Sequence, residues 1–280
     1  MKIRLRRLVA ALLVFPLSLT AATAAPKPDI RLWRLDCGLL WSPNLDDLSD
    51  TRAYVGQNKK FVGSCYLIRH GDAYLLWDAG LSKEYLNKPL AQGDKDDYAL
   101  ATTVVDQLAK IGVKPAQISM VGISHYHLDH IGQAADFPQA KLLIGKGDFA
   151  ALGQPGHEAR AKFFSPWLQK GAKVEKVTGD LDVFGDGSVV MLDLPGHTPG
   201  HHGLLVQLPK RGAVLLSGDV VHFRENLESM GVPSFNTDRA QSLASMDRFS
   251  KLAKNLKATL IIQHEEKDVA KLPAFPEAAE

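Results

Sequence analysis

The chain has 280 residues, an apolar share of 45%, and 33 Lys and Arg against 31 Asp and Glu, a net charge of +2. That length fits one large domain or two small ones, and the apolar share is enough for a sizeable core. Four of the basic residues, Lys2, Arg4, Arg6 and Arg7, fall in the first seven positions; without them 29 basic residues face 31 acidic ones, which leaves no electrostatic case for nucleic acid or an anionic membrane surface as a partner.

Met1 to Arg7 is a basic segment, Leu8 to Thr20 an apolar run broken only by Pro16, Ser18 and Thr20, and Ala22-Thr23-Ala24 a small-x-small triplet. This pattern predicts a secretory signal peptide over residues 1–24, cleaved after Ala24, with residues 25–280 as a single domain. The apolar run is too short to span a bilayer. The expected location is the periplasm or the outside, an oxidising compartment. Cys37 and Cys65 each lie in or beside an early predicted strand, so a bridge between them and two buried free thiols both stay open.

Ile30 to Leu35 reads as a first strand, and residues 38–60, with Pro43, Asn44, Asp46, Asp47, Asp50 and Gly56, as a long loop. Phe61–Ile68 and Ala73–Asp78 predict a hairpin across His70-Gly71-Asp72. Ala99 to Ile111 has helical spacing closed by Gly112, and Ile118–Ile123 is a short buried strand. Lys141–Ile144 is a strand and Lys146–Leu152 a short helix; residues 153–170 read as an aromatic-rich loop that could cover a site. Strands are expected at 173–177, 181–184, 189–194, 203–208 and 213–216. A helix capped by Thr237 or Asp238 runs from Arg239 to about Asn255, and Thr259–Ile262 is the last strand. Strands and helices recur twice with no linker between, which predicts an α/β protein: an αββα sandwich of two mixed sheets with helices outside.

His125-Tyr126-His127-Leu128-Asp129-His130 concentrates four metal-ligating side chains in six residues, directly after a predicted strand. In extended backbone His125 and His127 share a face, while Asp129 and His130 can turn toward a second point. One ion rarely takes four ligands from so tight a run, so two nearby ions fit better. Imidazole and carboxylate without thiolate suit Zn2+ first, with Mn, Fe or Co compatible. Gly132 permits close backbone approach just after the run. Three more donors stand at strand ends: His197 within Gly196-His197-Thr198-Pro199-Gly200, Asp219 after Gly218, and His264 after Leu260-Ile261-Ile262. A polar group at the end of a buried strand is costly unless it is paired or bound. His157, His201 and His202 read as ordinary loop residues, the latter two with a supporting role beside the site left open.

The ordered set His125-x-His127-x-Asp129-His130, His197, Asp219, His264 resembles the metallo-β-lactamase superfamily of dinuclear hydrolases, over roughly residues 30–267. The resemblance implies one ion held by His125, His127 and His197, a second by Asp129, His130 and His264, and Asp219 bridging them. Ser124, Gly218-Asp219, Asn236-Thr237-Asp238-Arg239 and Gln263-His264 are most similar to N-acyl homoserine lactone lactonases, which implies quorum quenching by hydroxide attack on the lactone carbonyl. In this reading Asp129 orients the nucleophile and moves its proton. His222 stands where such lactonases carry a substrate-facing Tyr, and is a second candidate catalytic residue. The expected partner is a small molecule with a lactone or ester carbonyl, with a homodimer left open.

An exported metallo-β-lactamase, or another ester or thioester hydrolase of the superfamily, is the alternative; β-lactamases with a similar hexad lack the bridging carboxylate. A non-catalytic exported metal-binding protein is the rival from another class, and would hydrolyse nothing. Leu39, Leu40, Trp41, Phe163, Phe164, Trp167, Phe223 and Phe235 could line an acyl channel or belong to core or a dimer contact.

Overall fold

The computed structural model describes residues 28–280, so the signal segment and cleavage point read from the sequence lie outside the described residues. Among the described residues twelve strands form two sheets: β1 (Ile30–Ser42), β2 (Lys59–His70), β3 (Ala73–Trp77), β4 (Asp97–Ala99), β5 (Ile118–Ile123), β6 (Lys141–Gly145), β7 (Val174–Val177), β8 (Leu181–Asp182), β9 (Val189–Asp193), β10 (His202–Leu208), β11 (Gly212–Leu216) and β12 (Thr259–Ile261). The first sheet has the order β4-β1-β2-β3-β5-β6-β7 and the second β12-β11-β10-β9-β8. Both are mixed: β3, β5, β6 and β7 run parallel, as do β11 and β12, and the remaining pairs are antiparallel.

The layers follow from alternation along each strand. Leu75 and Trp77 point into the core between the sheets, with Leu143 from the first sheet and Met191, Leu204 and Leu216 from the second. Leu76 points the other way, under the outer helices. Those helices include α1 (Val104–Lys110), α2 (Leu128–Ile131), α3 (Lys146–Ala151) and α4 (Glu158–Ala161). The outer face of the second sheet buries Leu192, Leu205 and Leu215 against Met246 and Phe249. After α5 (Arg224–Ser229), those two residues belong to α6 (Arg239–Asn255); α7 (Glu266–Val269) follows the last strand. This is the αββα sandwich that the periodicity predicts. Among the described residues no helix is long and apolar enough to cross a membrane.

Four expectations need correction. Residues 38–42 are strand, not loop: a bulge between Asp36 and Gly38 resets the register, and pairing resumes from Gly38 opposite Gly63 to Ser42 opposite Lys59. The end of the ligand-rich hexad is one helical turn, α2. Residues 153–170 contain α4 and a further 3-10 turn at Lys162–Phe164. The helix expected from Ala99 begins only at Val104, because Ala99 closes the unforeseen strand β4 against β1; the other predicted elements agree to within a few residues. The cap of α6 is Asp238, whose carboxylate accepts the Gln241 N–H.

Cys37 and Cys65 form a disulfide across β1 and β2, closing 28 residues. Replacing both by Ala should lower stability by about 2–4 kcal/mol, read as a shift of the urea midpoint. An unchanged midpoint would contradict a structural bridge.

Candidate metal centre

The site is assembled from the C-terminal ends of strands. β5 delivers His125, His127, Asp129 and His130; β9 delivers His197; β11 delivers Asp219; β12 delivers His264. Parallel neighbours carry their carboxyl ends to the same edge, so β3 with β5 and β11 with β12 bring distant residues together. Gly132 is required here: a Cβ at this position would lie 2.2 Å from Ser82 N. Its own N–H donates to Gly80 O at 2.6 Å, which ties the turn after the hexad to the turn after β3.

All seven predicted donors converge in two groups, His125, His127, His197, Asp219 and Asp129, His130, Asp219, His264, with the donor atoms of each group within 4.8 Å of one another. Asp219 belongs to both, and its two oxygens divide the groups. Oδ2 lies 3.5 Å from His125 Nε2 and 3.4 Å from His197 Nε2. Oδ1 lies 3.2 Å from His130 Nε2 and 3.0 Å from His264 Nε2. His127 turns its Nδ1 inward, 2.9 Å from His197 Nε2. Asp129 Oδ2 stands 3.6 Å from both His130 Nε2 and His264 Nε2. His222 is drawn in as well, with Nε2 3.3 Å from Asp219 Oδ2.

The outward nitrogens are held by hydrogen bonds that fix ring orientation and tautomer. His197 Nδ1 donates to Asn236 Oδ1 at 2.8 Å, His264 Nδ1 to Val62 O at 2.8 Å, and His130 Nδ1 to Asp78 Oδ2 at 2.9 Å. Asp78 is a hub missed from the sequence. It is fully buried at the end of β3 with φ of 60°, and also accepts the N–H and hydroxyl of Ser124 and the amide of Gln263. The signal was there in Trp77-Asp78-Ala79-Gly80, a carboxylate closing an apolar strand.

His201 takes the supporting role beside the site that the sequence left open. Its buried ring accepts the Asp219 N–H on Nε2 at 2.8 Å and donates from Nδ1 to Leu194 O at 2.9 Å. Gly218, at φ of +53°, lets the chain pass over that ring, where a Cβ would come within 2.6 Å of Nε2. His202 opens β10 and donates from Nδ1 to Gly200 O. Asp148 ties the two ligand loops by accepting from Tyr126 N–H, Thr198 hydroxyl and Gly200 N–H, while burial pushes its carboxyl up to about 7.

The donor chemistry fits divalent cations. His125 Nε2 and Asp219 Oδ1 are buried and lack a hydrogen-bond donor or acceptor partner, as expected of atoms that meet a cation instead. Burial, then neighbouring imidazoles, holds His125 and His127 well below the usual imidazole range, so both present free lone pairs. Burial also works against charge on His130 and His264, but the carboxylates around them, Asp219 and Asp129, with Asp78 beside His130, together outweigh it and raise both. Rings raised in this way hold a proton more tightly, so metal binding should release protons and tighten as pH rises. Calorimetry at pH 7 in two buffers of different ionisation enthalpy checks this; identical heats in both buffers would contradict it.

The centre floors a cavity of about 410 Å³. Asp129, Asp219, His222 and His264 form its floor, and Leu40, Trp41, Leu48, Phe61, Leu81 and Phe235 its apolar walls. Of the aromatic and apolar candidates, only Leu40, Trp41 and Phe235 line it. Phe164 and Trp167 are buried in the core beneath the first sheet, with Phe163 packed against them. Phe223 is buried against Tyr54 and Phe61, and Leu39, alternating away from Leu40, lines a separate groove. His157 packs edge-on against Tyr126 outside the metal centre, at 5.1 Å.

The profile of the metallo-beta-lactamase superfamily matches residues 59–264, which spans every donor described above. The chain belongs to that superfamily. With the His and Asp cluster that the fold presents, it is a metal-dependent hydrolase. It is similar to the N-acyl homoserine lactonase AttM of Rhizobium radiobacter, 27% identical over 265 residues, covering 89% of this chain and 98% of that protein. It is also similar to the N-acyl homoserine lactonase of Bacillus cereus, 26% identical over 220 residues, covering 76% and 85%. In fold this superfamily member overlays a quorum-quenching N-acyl homoserine lactone hydrolase with TM-score 0.76 at 21% identity, covering 91% of this chain and 100% of the other. It likewise overlays AidC, a dizinc quorum-quenching lactonase, with TM-score 0.65 at 18% identity, covering 91% of each.

Proposed function

We propose that this protein is an exported lactonase that opens the rings of N-acyl homoserine lactones, using two divalent ions, Zn2+ first. The supporting observation is the split carboxylate of Asp219, one oxygen facing His125 and His197, the other His130 and His264. His125, His127, His197 and Asp219 would hold one ion, and Asp129, His130, Asp219 and His264 the other. Bound there, such ions supply an activated water and polarise a carbonyl.

The chain's own groups do the rest. The cavity walls orient an acyl lactone with its ring over the floor and exclude bulk water. Asp129, at the cavity floor, orients the nucleophile and carries a proton on its carboxylate toward the leaving ring oxygen. His222 lines the same floor and donates a hydrogen bond to a substrate oxygen. Asn236, Val62, Asp78 and Ser124 keep the imidazoles aimed.

A panel of acyl homoserine lactones, thiolactones, aryl esters and nitrocefin, assayed before and after chelation, tests the reading. Lactone opening should dominate, vanish with chelation and return on adding zinc. The ion-free protein should also melt earlier, because an ion present at a thousand times its Kd adds about 4 kcal/mol to the folded state. Dominant nitrocefin turnover, or lactone opening indifferent to chelation, would end this proposal.

Export is supported by the basic-apolar-small N-terminus and by the Cys37–Cys65 bridge, which is at home in an oxidising compartment. Fractionation with N-terminal sequencing should find a periplasmic or secreted protein beginning at Ala25.

A further inference from the structure

The cavity wall carries a cation that the metal centre does not use. Arg160 sits on α4, half-buried, and lines the cavity. Its guanidinium lies over the Tyr126 ring at 5.3 Å, which pins the fork beside the metal loop. It shares the cavity lining with His127, a member of the first donor group. Its Nε is buried and has no hydrogen-bond partner. Among the described residues no carboxylate forms an ion pair with it, whereas Arg224, Arg239 and Arg248 each pair with an aspartate.

A partly desolvated guanidinium without an acceptor is costly, and its planar donors suit an sp2 oxygen. Another part of the lining, Leu40, Trp41 and Phe61, is apolar and suits a hydrocarbon tail. A ligand that satisfies both walls and the floor has a reacting carbonyl, a second carbonyl a few bonds away, and an alkyl chain.

We propose that Arg160 is a specificity-determining residue that receives the amide carbonyl of an acyl-amino lactone while the lactone carbonyl lies over the metal centre. This rests on the lactonase reading and adds to it a preference for amide-bearing lactones over plain alkyl lactones. The Arg160 contact is made on binding and kept during ring opening, so its loss appears in KM more than in kcat.

The test compares wild type, R160M and R160K, each metal-loaded, on N-hexanoyl homoserine lactone and on a γ-alkyl butyrolactone that lacks the amide. R160M keeps the aliphatic stem against Tyr126. It should lose about 10- to 100-fold in kcat/KM on the amide-bearing lactone, the worth of one charged hydrogen bond, and less than about threefold on the alkyl lactone. R160K keeps the charge without the fork and should fall between, again on the amide substrate alone. Should R160M fail to fold, R160K carries the comparison. Equal losses on both substrates would show a merely structural role and overturn the proposal, as would no loss on either. A wild type that opens neither lactone would instead remove the lactonase reading itself, and this proposal with it.

Discussion

Asp219→Ala should lose more than about a thousandfold in kcat/KM on any lactone the wild type opens, beyond the loss of a single oxyanion-stabilising group. Asp219 is the one donor common to both groups, and its neighbours explain why. Burial opposes its charge, but His130, His264, His222 and His125 hold the carboxylate well below its usual range. Removing it leaves an array of imidazoles at mutual distances such as 3.3 Å, between His264 Nε2 and His130 Nε2, with no anion among them. The ions would then meet less negative charge, and the rings would repel one another when protonated. Metal content by elemental analysis should fall below the wild-type value together with activity. Asp219→Asn keeps the shape but not the charge, and should recover folding without recovering tight binding of both ions. A variant that kept full metal content and activity within tenfold of wild type would mean that Asp219 does not bridge.

Asp78→Ala is the second large effect, and it acts without touching an ion. Four donors end on this carboxylate: Ser124 N at 2.7 Å, Ser124 Oγ at 2.8 Å, His130 Nδ1 at 2.9 Å and Gln263 Nε2 at 2.7 Å. All of these groups are buried, so truncation strands them where water cannot replace the acceptor. Breaking a buried ionic hydrogen-bond partner costs about 3–5 kcal/mol, and a metal-supporting hydrogen bond about 10–100-fold in metal affinity. Urea unfolding of metal-free protein isolates the first effect. Competition with a zinc-binding chelator at matched pH isolates the second. The two should separate in Ser124→Ala, which removes one hydroxyl bond and leaves Asp78 in contact with His130 and Gln263. If Asp78→Ala unfolded within about 1 kcal/mol of wild type, the hub would be a bystander.

The fold was legible because its layers impose periodicity on the chain. Leu75, Leu76 and Trp77 alternate between two cores, and the helix Arg239–Asn255 carries its own cap and apolar face. The extension of β1 past Gly38 was not legible. A bulge is a choice made by the partner strand, and residues 43–50 have the composition of a loop whether or not the five residues before them pair. The seven donors were legible for a different reason. Histidine and aspartate at the ends of apolar strands are expensive anywhere else, so their positions announce a shared task before any distance is known.

What residue identity alone determined, then, is local: element types, the ordered donors from His125 to His264, and the chemistry such donors favour. Which strand ends are neighbours is a long-range matter, and everything that depends on it waited for the tertiary structure. Asp78 and His201 are ordinary polar residues until β3 lies beside β5 and the chain at Asp219 crosses the His201 ring. Cys37 and Cys65 were two cysteines with two fates until the register of β1 on β2 set them side by side. Leu40 faces the cavity and Leu39 does not because side chains alternate about a strand whose pairing was itself unforeseen.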